Sequence, residues 1–138
     1  MPSLATTTVE GKYSGQLPLG VASGVYDIGI KTHQHLTKML RGVTLSDGAN
    51  VLNFTQASNT VPFGAIRLLA GDISGSTSTP ATLGDDVVNS VDLSILINDL
   101  DRDDATGRGI RANLNQDSVV NSVDLSLMLK NLDVAGEQ

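Results

Sequence analysis

The octet "VVNSVDLS" occurs twice in this chain, at residues 87–94 and again at 119–126, an offset of 32. It mixes apolar, amide, hydroxyl and carboxylate side chains in a fixed order, so low complexity cannot account for it. The correspondence runs past the octet: Ile95, Leu96, Ile97, Leu100 and Asp101 are answered by Leu127, Met128, Leu129, Leu132 and Asp133. The second half of the chain is therefore a duplication of one small structural unit. Apolar residues fall at helical spacing in each copy, with Leu93, Leu96, Ile97 and Leu100 in the first and Leu125, Met128, Leu129 and Leu132 in the second. Two short amphipathic helices with facing apolar stripes are predicted.

The first half has a different period. "GVYDIGIK" places Tyr26, Ile28 and Ile30 on one face, and "RGVTLSDGANVLNFT" reads as two strands joined by an Asp47-Gly48 hairpin turn. With "GKYSGQLPLG" upstream and "AIRLLAGD" as a short outgoing strand, four or five short strands and no helix are expected, which is a small antiparallel β-sandwich. The expected fold is thus mixed: a β-module over residues 1–69, then an all-α pair of loop-helix units over 70–138.

Charge is divided along the same line. Before residue 70, three acidic residues meet five basic ones, whereas the remainder holds twelve acidic against four basic, a net −8. So negative a half disfavours nucleic acid and anionic membranes as partners and favours cations. Cysteine is absent, which excludes a disulfide framework. No apolar run is long enough to span a bilayer, so membrane insertion is not expected, and "MPSLATTTVE" lacks the basic start and apolar core of a signal peptide.

The cation can be given a place. In "NLNQDSVVNSVD", oxygen-bearing side chains stand at positions one, three, five, nine and twelve, namely Asn113, Asn115, Asp117, Asn121 and Asp124. A loop that wraps calcium needs such oxygens at about 2.3–2.6 Å, with a backbone carbonyl from position seven, here Val119. Val120 at position eight would anchor the loop in the core. The first copy supplies Asp85, the Val87 carbonyl, Asn89 and Asp92 at positions five, seven, nine and twelve. Its first and third ligands are found further upstream, as Asp72 and Ser74 in "GDISG", if nine residues are inserted within "STSTPATLG". Two calcium ions are expected. Position six, usually glycine, is Asp86 or Ser118, and aspartate tolerates the left-handed backbone better than serine does.

Over about residues 70 to 133 the arrangement resembles a dockerin, the duplicated calcium loop-helix module that plugs into cohesin domains of cellulosome-like assemblies. "NLNQDSVVNSVDLSLMLKNL" and "GDDVVNSVDLSILINDL" carry the resemblance. The preceding "GVYDIGIKTHQHLTKMLRGVTLSDGANVLNFT" is similar, more weakly, to the X-type or immunoglobulin-like β-modules found before dockerins. The resemblance implies a non-catalytic adaptor with a cohesin domain as partner, secreted or at a cell surface as part of a larger protein, and monomeric when free. It also implies recognition at the tenth and eleventh loop positions and further along each helix: Ser90, Val91, Ile97 and Asn98, or Ser122, Val123, Leu129 and Lys130. From helical geometry alone, Val91 and Ile95 beside Asn98, and Val123 and Leu127 beside Lys130, lie outside the core stripes. The duplicated surface suggests that either helix could engage a cohesin after a half-turn of the module.

Other readings compete with these. Ser90 and Ser122 could simply cap two helices, with Asp92 and Asp124 favouring the positive helix ends. The outer aliphatic residues could be buried, leaving a calcium-stabilised structural module without a cohesin. A carbohydrate-binding module is a further alternative, although Tyr13, Tyr26, Phe54 and Phe63 are few for a sugar-stacking platform. "THQH" offers His33 and His35 as a zinc pair lacking a third ligand, and an ordinary surface strand explains it better.

Overall fold

A computed structural model describes residues 6–7, 13–14, 21–54, 68–76, 82–107 and 109–138. "TQASNTVPFG" and the middle of "STSTPATLG" lie outside the described residues. N-terminal β-strands are followed by two short helices. Strands β1 (Thr6–Thr7) and β2 (Tyr13–Ser14) pair antiparallel, as do β3 (Gly24–Ile30) and β4 (Lys38–Leu45). Helix α1 spans Ser90–Asn98 and α2 Ser122–Leu129.

Strand β3 follows its alternation, with Tyr26, Ile28 and Ile30 half-buried and Val25, Asp27 and Gly29 exposed. Its register with β4 shifts between Tyr26 and Ile28, and the irregularity is held from the exposed side. Asp27 accepts from Gly42 N (2.9 Å) and Arg41 Nη1 (3.1 Å), and Gly42 takes the left-handed backbone that the bulge requires.

The expected partner of β4 was the run after Asp47-Gly48, and this is corrected. A turn does form there, with Gly48 at φ +93°, but residues 51–54 form no strand and Val51 is 95% exposed. The apolar face of β4, with Leu40 and Leu45 buried, instead packs with β3 across the connection at 31–37. In "AIRLLAGD", residues 65–67 lie outside the described residues, and in the remainder Ala70 makes an isolated antiparallel bridge with His35.

One core joins Leu36 of that connection to Ile73, Val88, Leu96, Ala112, Leu114, Val120 and Met128. Val120 and its counterpart Val88 are fully buried, as their place at loop position eight requires. Around this core the two copies interlace. After α1 the chain pairs with the second loop, through Asp101 N to Val120 O (2.8 Å), Val120 N to Arg102 O (3.0 Å) and Asp104 N to Ser118 O (2.7 Å). After α2 it pairs in the same way with the first loop, through Asp133 N to Val88 O (2.8 Å), Val88 N to Val134 O (2.9 Å) and Gly136 N to Asp86 O (2.8 Å). Asp101 and Asp133 both adopt positive φ, 64° and 62°, so each turn out of a helix is the same turn.

Candidate metal loops and interaction face

The first loop must bring together residues that the insertion separates. Ser76 and Thr82 close its neck: Thr82 N donates to Ser76 O (3.1 Å), and Ser76 N donates to Thr82 Oγ1 (2.6 Å). Gly84 then approaches Asp72 so closely that an added Cβ would collide with the Asp72 carboxylate. As a result, carboxylate oxygens of Asp72, Asp85 and Asp92 lie within 4.8 Å of one another, a group that could hold a metal ion. Asp72 and Asp92 are fully buried and Asp85 is exposed, so the group opens to solvent on one side.

Position twelve organises each loop. Asp92 Oδ1 accepts from Ile73 N (2.7 Å) and Ser74 N (2.9 Å), while its Oδ2 accepts from Asn89 N (2.9 Å). Asp124 repeats this with Leu114 N (2.7 Å), Asn115 N (3.1 Å) and Asn121 N (2.9 Å). The helix caps are accordingly Asn89 and Asn121, each in a capping box with the aspartate three residues on, and not Ser90 or Ser122. An asparagine oxygen bonded to the helix N-terminus outcompetes the serine one residue too late, and both serines are exposed.

Inside the first loop, Ser74 Oγ reaches Asp72 Oδ1 at 3.4 Å and accepts from Asp85 N at 3.4 Å. Asp85 accepts from Val87 N (3.2 Å) and Asn89 Nδ2 (3.1 Å), and the Val87 carbonyl lies 3.5 Å from the same amide. In the second loop Asp117 accepts from Val119 N (2.9 Å) and Asn115 Nδ2 (2.8 Å), and Asp117 N donates to Asn115 Oδ1 (3.1 Å). Backbone conformation differs at position six: Asp86 has φ +67°, whereas in the second loop the left-handed residue is Gln116, at position four. Serine has no side-chain compensation for that conformation, so the second loop makes its turn two residues earlier.

The oxygens fit a hard cation. Asn113 is fully buried; its Nδ2 donates to Asp104 Oδ2 (3.1 Å) and Asp117 O (2.8 Å), and Oδ1 has no partner among the described residues. An orphaned buried acceptor costs about 1–3 kcal/mol, which a cation bound at that oxygen would offset. All side-chain donors in both loops are oxygens, the chemistry of calcium rather than zinc.

Two residues that sequence spacing did not single out complete the picture. The Lys31 ammonium, from the connection between β3 and β4, pairs with Asp72 Oδ2 and with Asp86 Oδ1 (2.9 Å). Burial works to lower its pKa, but the hydrogen bonds to Asp72 and Asp86 outweigh that and raise it above 10.5. Asp104 does the converse at the second loop. Its buried carboxyl would be raised by desolvation, yet donors from Ile110 N, Asn113 Nδ2, Gly109 N and Thr106 Oγ1 hold it down at about 2. No signal within the repeat points to Lys31, whereas the turn-rich "DDATGRG" flags Asp104 as a loop-capping carboxylate.

On the helices, Val91 (53%), Ile97 (52%), Val123 (49%) and Leu129 (49%) are exposed, with Ser90, Asn98, Ser122 and Lys130. This corrects the apolar stripes. Ile97 and Leu129 were expected in the core, and Ile95 and Leu127 outside it; the latter pair is half-buried against the core. Asp92 and Asp124 must face their loops, which turns the arc containing Ile95, Leu96 and Asp99 inward and leaves Ile97 some 140° away. The two histidines also part company: His33 is exposed and 3.3 Å from Arg111, while His35 Nδ1 lies 2.7 Å from Thr32 Oγ1.

No protein-family model and no curated protein sequence matches the chain. Among solved structures, 99% of it superposes on 78% of a chain in the crystal structure of a type II cohesin–X-dockerin complex from Acetivibrio cellulolyticus carrying an N-terminal interface mutation. The TM-score is 0.62 and the identity 17%, so the likeness is one of fold. N-terminal β-strands followed by two short helices give this chain an X-dockerin-like fold.

Proposed function

We propose that the chain is a non-catalytic, calcium-dependent docking module whose partner is a cohesin domain, with a supporting β-module over residues 1–69 and the docking module over 70–138. Calcium in the first loop is held by Asp72, Ser74, Asp85, the Val87 carbonyl, Asn89 and Asp92. The second loop uses Asn113, Asn115, Asp117, the Val119 carbonyl, Asn121 and Asp124. Each ion fixes the start of the helix that follows its loop, because the residue at position twelve is also the third residue of that helix. Docking then uses Ser90, Val91 and Asn98 or Ser122, Val123 and Lys130, together with Ile97 or Leu129. Ile95 and Leu127 stiffen those faces from beneath. The setting is extracellular or at a cell surface; no helix among the described residues is long and apolar enough to cross a membrane.

The observation that carries this reading is the pair of matching aliphatic faces, Val91 with Ile97 and Val123 with Leu129, exposed at equivalent places on two helices. Exposed aliphatic clusters rimmed by polar residues mark binding surfaces. Burial of the outer pairs would favour the purely structural alternative; exposure of Val91 and Val123 supports docking, although Ile95 and Leu127 pack against the core. Calorimetric titration of the metal-stripped chain should give two bound calcium ions, and the loaded chain should bind a type II cohesin. Val91→Asp with Val123→Asp should abolish that binding without altering calcium uptake. A chain that takes up calcium yet ignores a panel of cohesins would return the structural alternative.

A further inference from the structure

The first loop has a cation of its own. Asp72 is fully buried, and its two oxygens face in different directions: Oδ1 toward Gly84 and Ser74 inside the loop, Oδ2 toward Asp86 N (2.9 Å) and the Lys31 ammonium. The same ammonium meets Asp86 Oδ1 (2.9 Å) and the His35 carbonyl (3.4 Å), and the Lys31 side chain is 14% exposed. A residue 41 positions upstream thus places a positive charge on the first carboxylate of the loop. Among the described residues nothing equivalent occurs at the second loop, where the position-one residue is the neutral Asn113 and its neighbour is the anionic Asp104.

We propose that Lys31 is a tethered counter-cation of the first loop, satisfying Asp72 and Asp86 in the metal-free chain and weakening calcium binding there. The inference rests on the calcium reading given above. Two effects of Lys31 oppose each other. By pairing with Asp72 it orders a ligand, which favours the ion; by sharing that carboxylate with the ion it brings like charges within a few ångströms, which disfavours it. Repulsion wins, because Asp72 is already ordered by the Asp86 N–H and by burial, and Asp86 is the one carboxylate left to balance the ammonium once the ion takes Asp72. Linkage requires the reciprocal effect: filling the first loop loosens the hold of Lys31, and with it one tie between the β-module and the docking module.

The test is calcium calorimetry on the full chain and on Lys31→Met and Lys31→Arg, with the two sites assigned by the amide resonances of Gly84 and Ser118. Lys31→Met should tighten the first loop by about tenfold or more and leave the second unchanged, while Lys31→Arg keeps the weak affinity. Two sites with an unaltered or weakened first loop in Lys31→Met would overturn this inference and leave the calcium reading intact. No heat from any of the three proteins would remove the calcium reading, and this inference with it. Should Lys31→Met not fold, the wild type decides through its ammonium resonance. A slowly exchanging Lys31 signal in the metal-free chain should shift or vanish as the first loop fills, and a signal indifferent to that step overturns the proposal.

Discussion

At the scale of single residues, the loops depend on close approach as much as on ligands. Gly84 leaves no space for a Cβ, which would collide with the Asp72 carboxylate. Gly84→Ala should therefore push Asp72 out of the group it forms with Asp85 and Asp92. Calcium uptake by the first loop should fall at least tenfold, with the second loop unaffected, in the same two-site titration. The grouping of Asp72, Asp85 and Asp92 was legible in the sequence, because an eight-residue repeat carries its own ruler. Even the displaced Asp72 and Ser74 could be found by assuming an insertion, and the Ser76–Thr82 neck is how the chain makes that insertion harmless. Lys31 was not legible, and Asp104 was legible only as a turn carboxylate. Each acts on a loop from outside the repeat, and periodicity says nothing of charges that arrive from another part of the chain.

At the scale of elements, helices and loops constrain one another. Apolar spacing alone placed Ile97 in the core stripe of α1 and Ile95 outside it, and the helix is turned the other way. What decides is the carboxylate at the third helical position, which must reach back to Ile73 N and Ser74 N. Had that requirement been combined with the apolar pattern, the exposed face would have followed from sequence. The rotation makes a sharp prediction: Ile97→Lys should change stability by less than about 0.5 kcal/mol, as surface substitutions do, whereas Ile95→Lys should cost about 2 kcal/mol or more by forcing a charge against the core. Chemical denaturation of the calcium-loaded proteins measures both. The strands teach a similar lesson. Asp47-Gly48 announced a turn correctly, but which strand β4 pairs with was settled by burial of Leu40 and Leu45, information that a local turn signal does not hold.

At the scale of the molecule, the two halves are sewn together along the connection between β3 and β4. Leu36 N donates to Leu69 O (2.9 Å), Gly71 N to Gln34 O (2.8 Å), Thr37 N to Asp86 Oδ1 (2.7 Å), and Gln34 Nε2 to the carbonyls of Arg111 (2.9 Å) and Asn113 (3.0 Å). The chain end joins this seam, with Glu137 N on Thr37 O (3.0 Å) and Met39 N on Glu137 Oε2 (2.8 Å). His35 lies within the seam, and burial first, then the nearby Lys31 charge, lowers its pKa below 6.5. The unfolded chain therefore takes up the His35 proton more readily than the folded one. Stability is fullest above pH 6.5 and declines as the pH falls below it, toward the lowered folded value. Melting temperatures at pH 7.5 and 5.5 should thus differ more for the wild type than for His35→Gln.

The interlacing also bears on how such a chain could have begun. Each loop is closed by the segment that leaves the other copy's helix, Asp101–Asp104 over the second loop and Asp133–Gly136 over the first. One unit alone lacks its own strap. A single ancestral unit would have been complete only by trading straps with a second copy, and joining two copies in one chain supplies both straps.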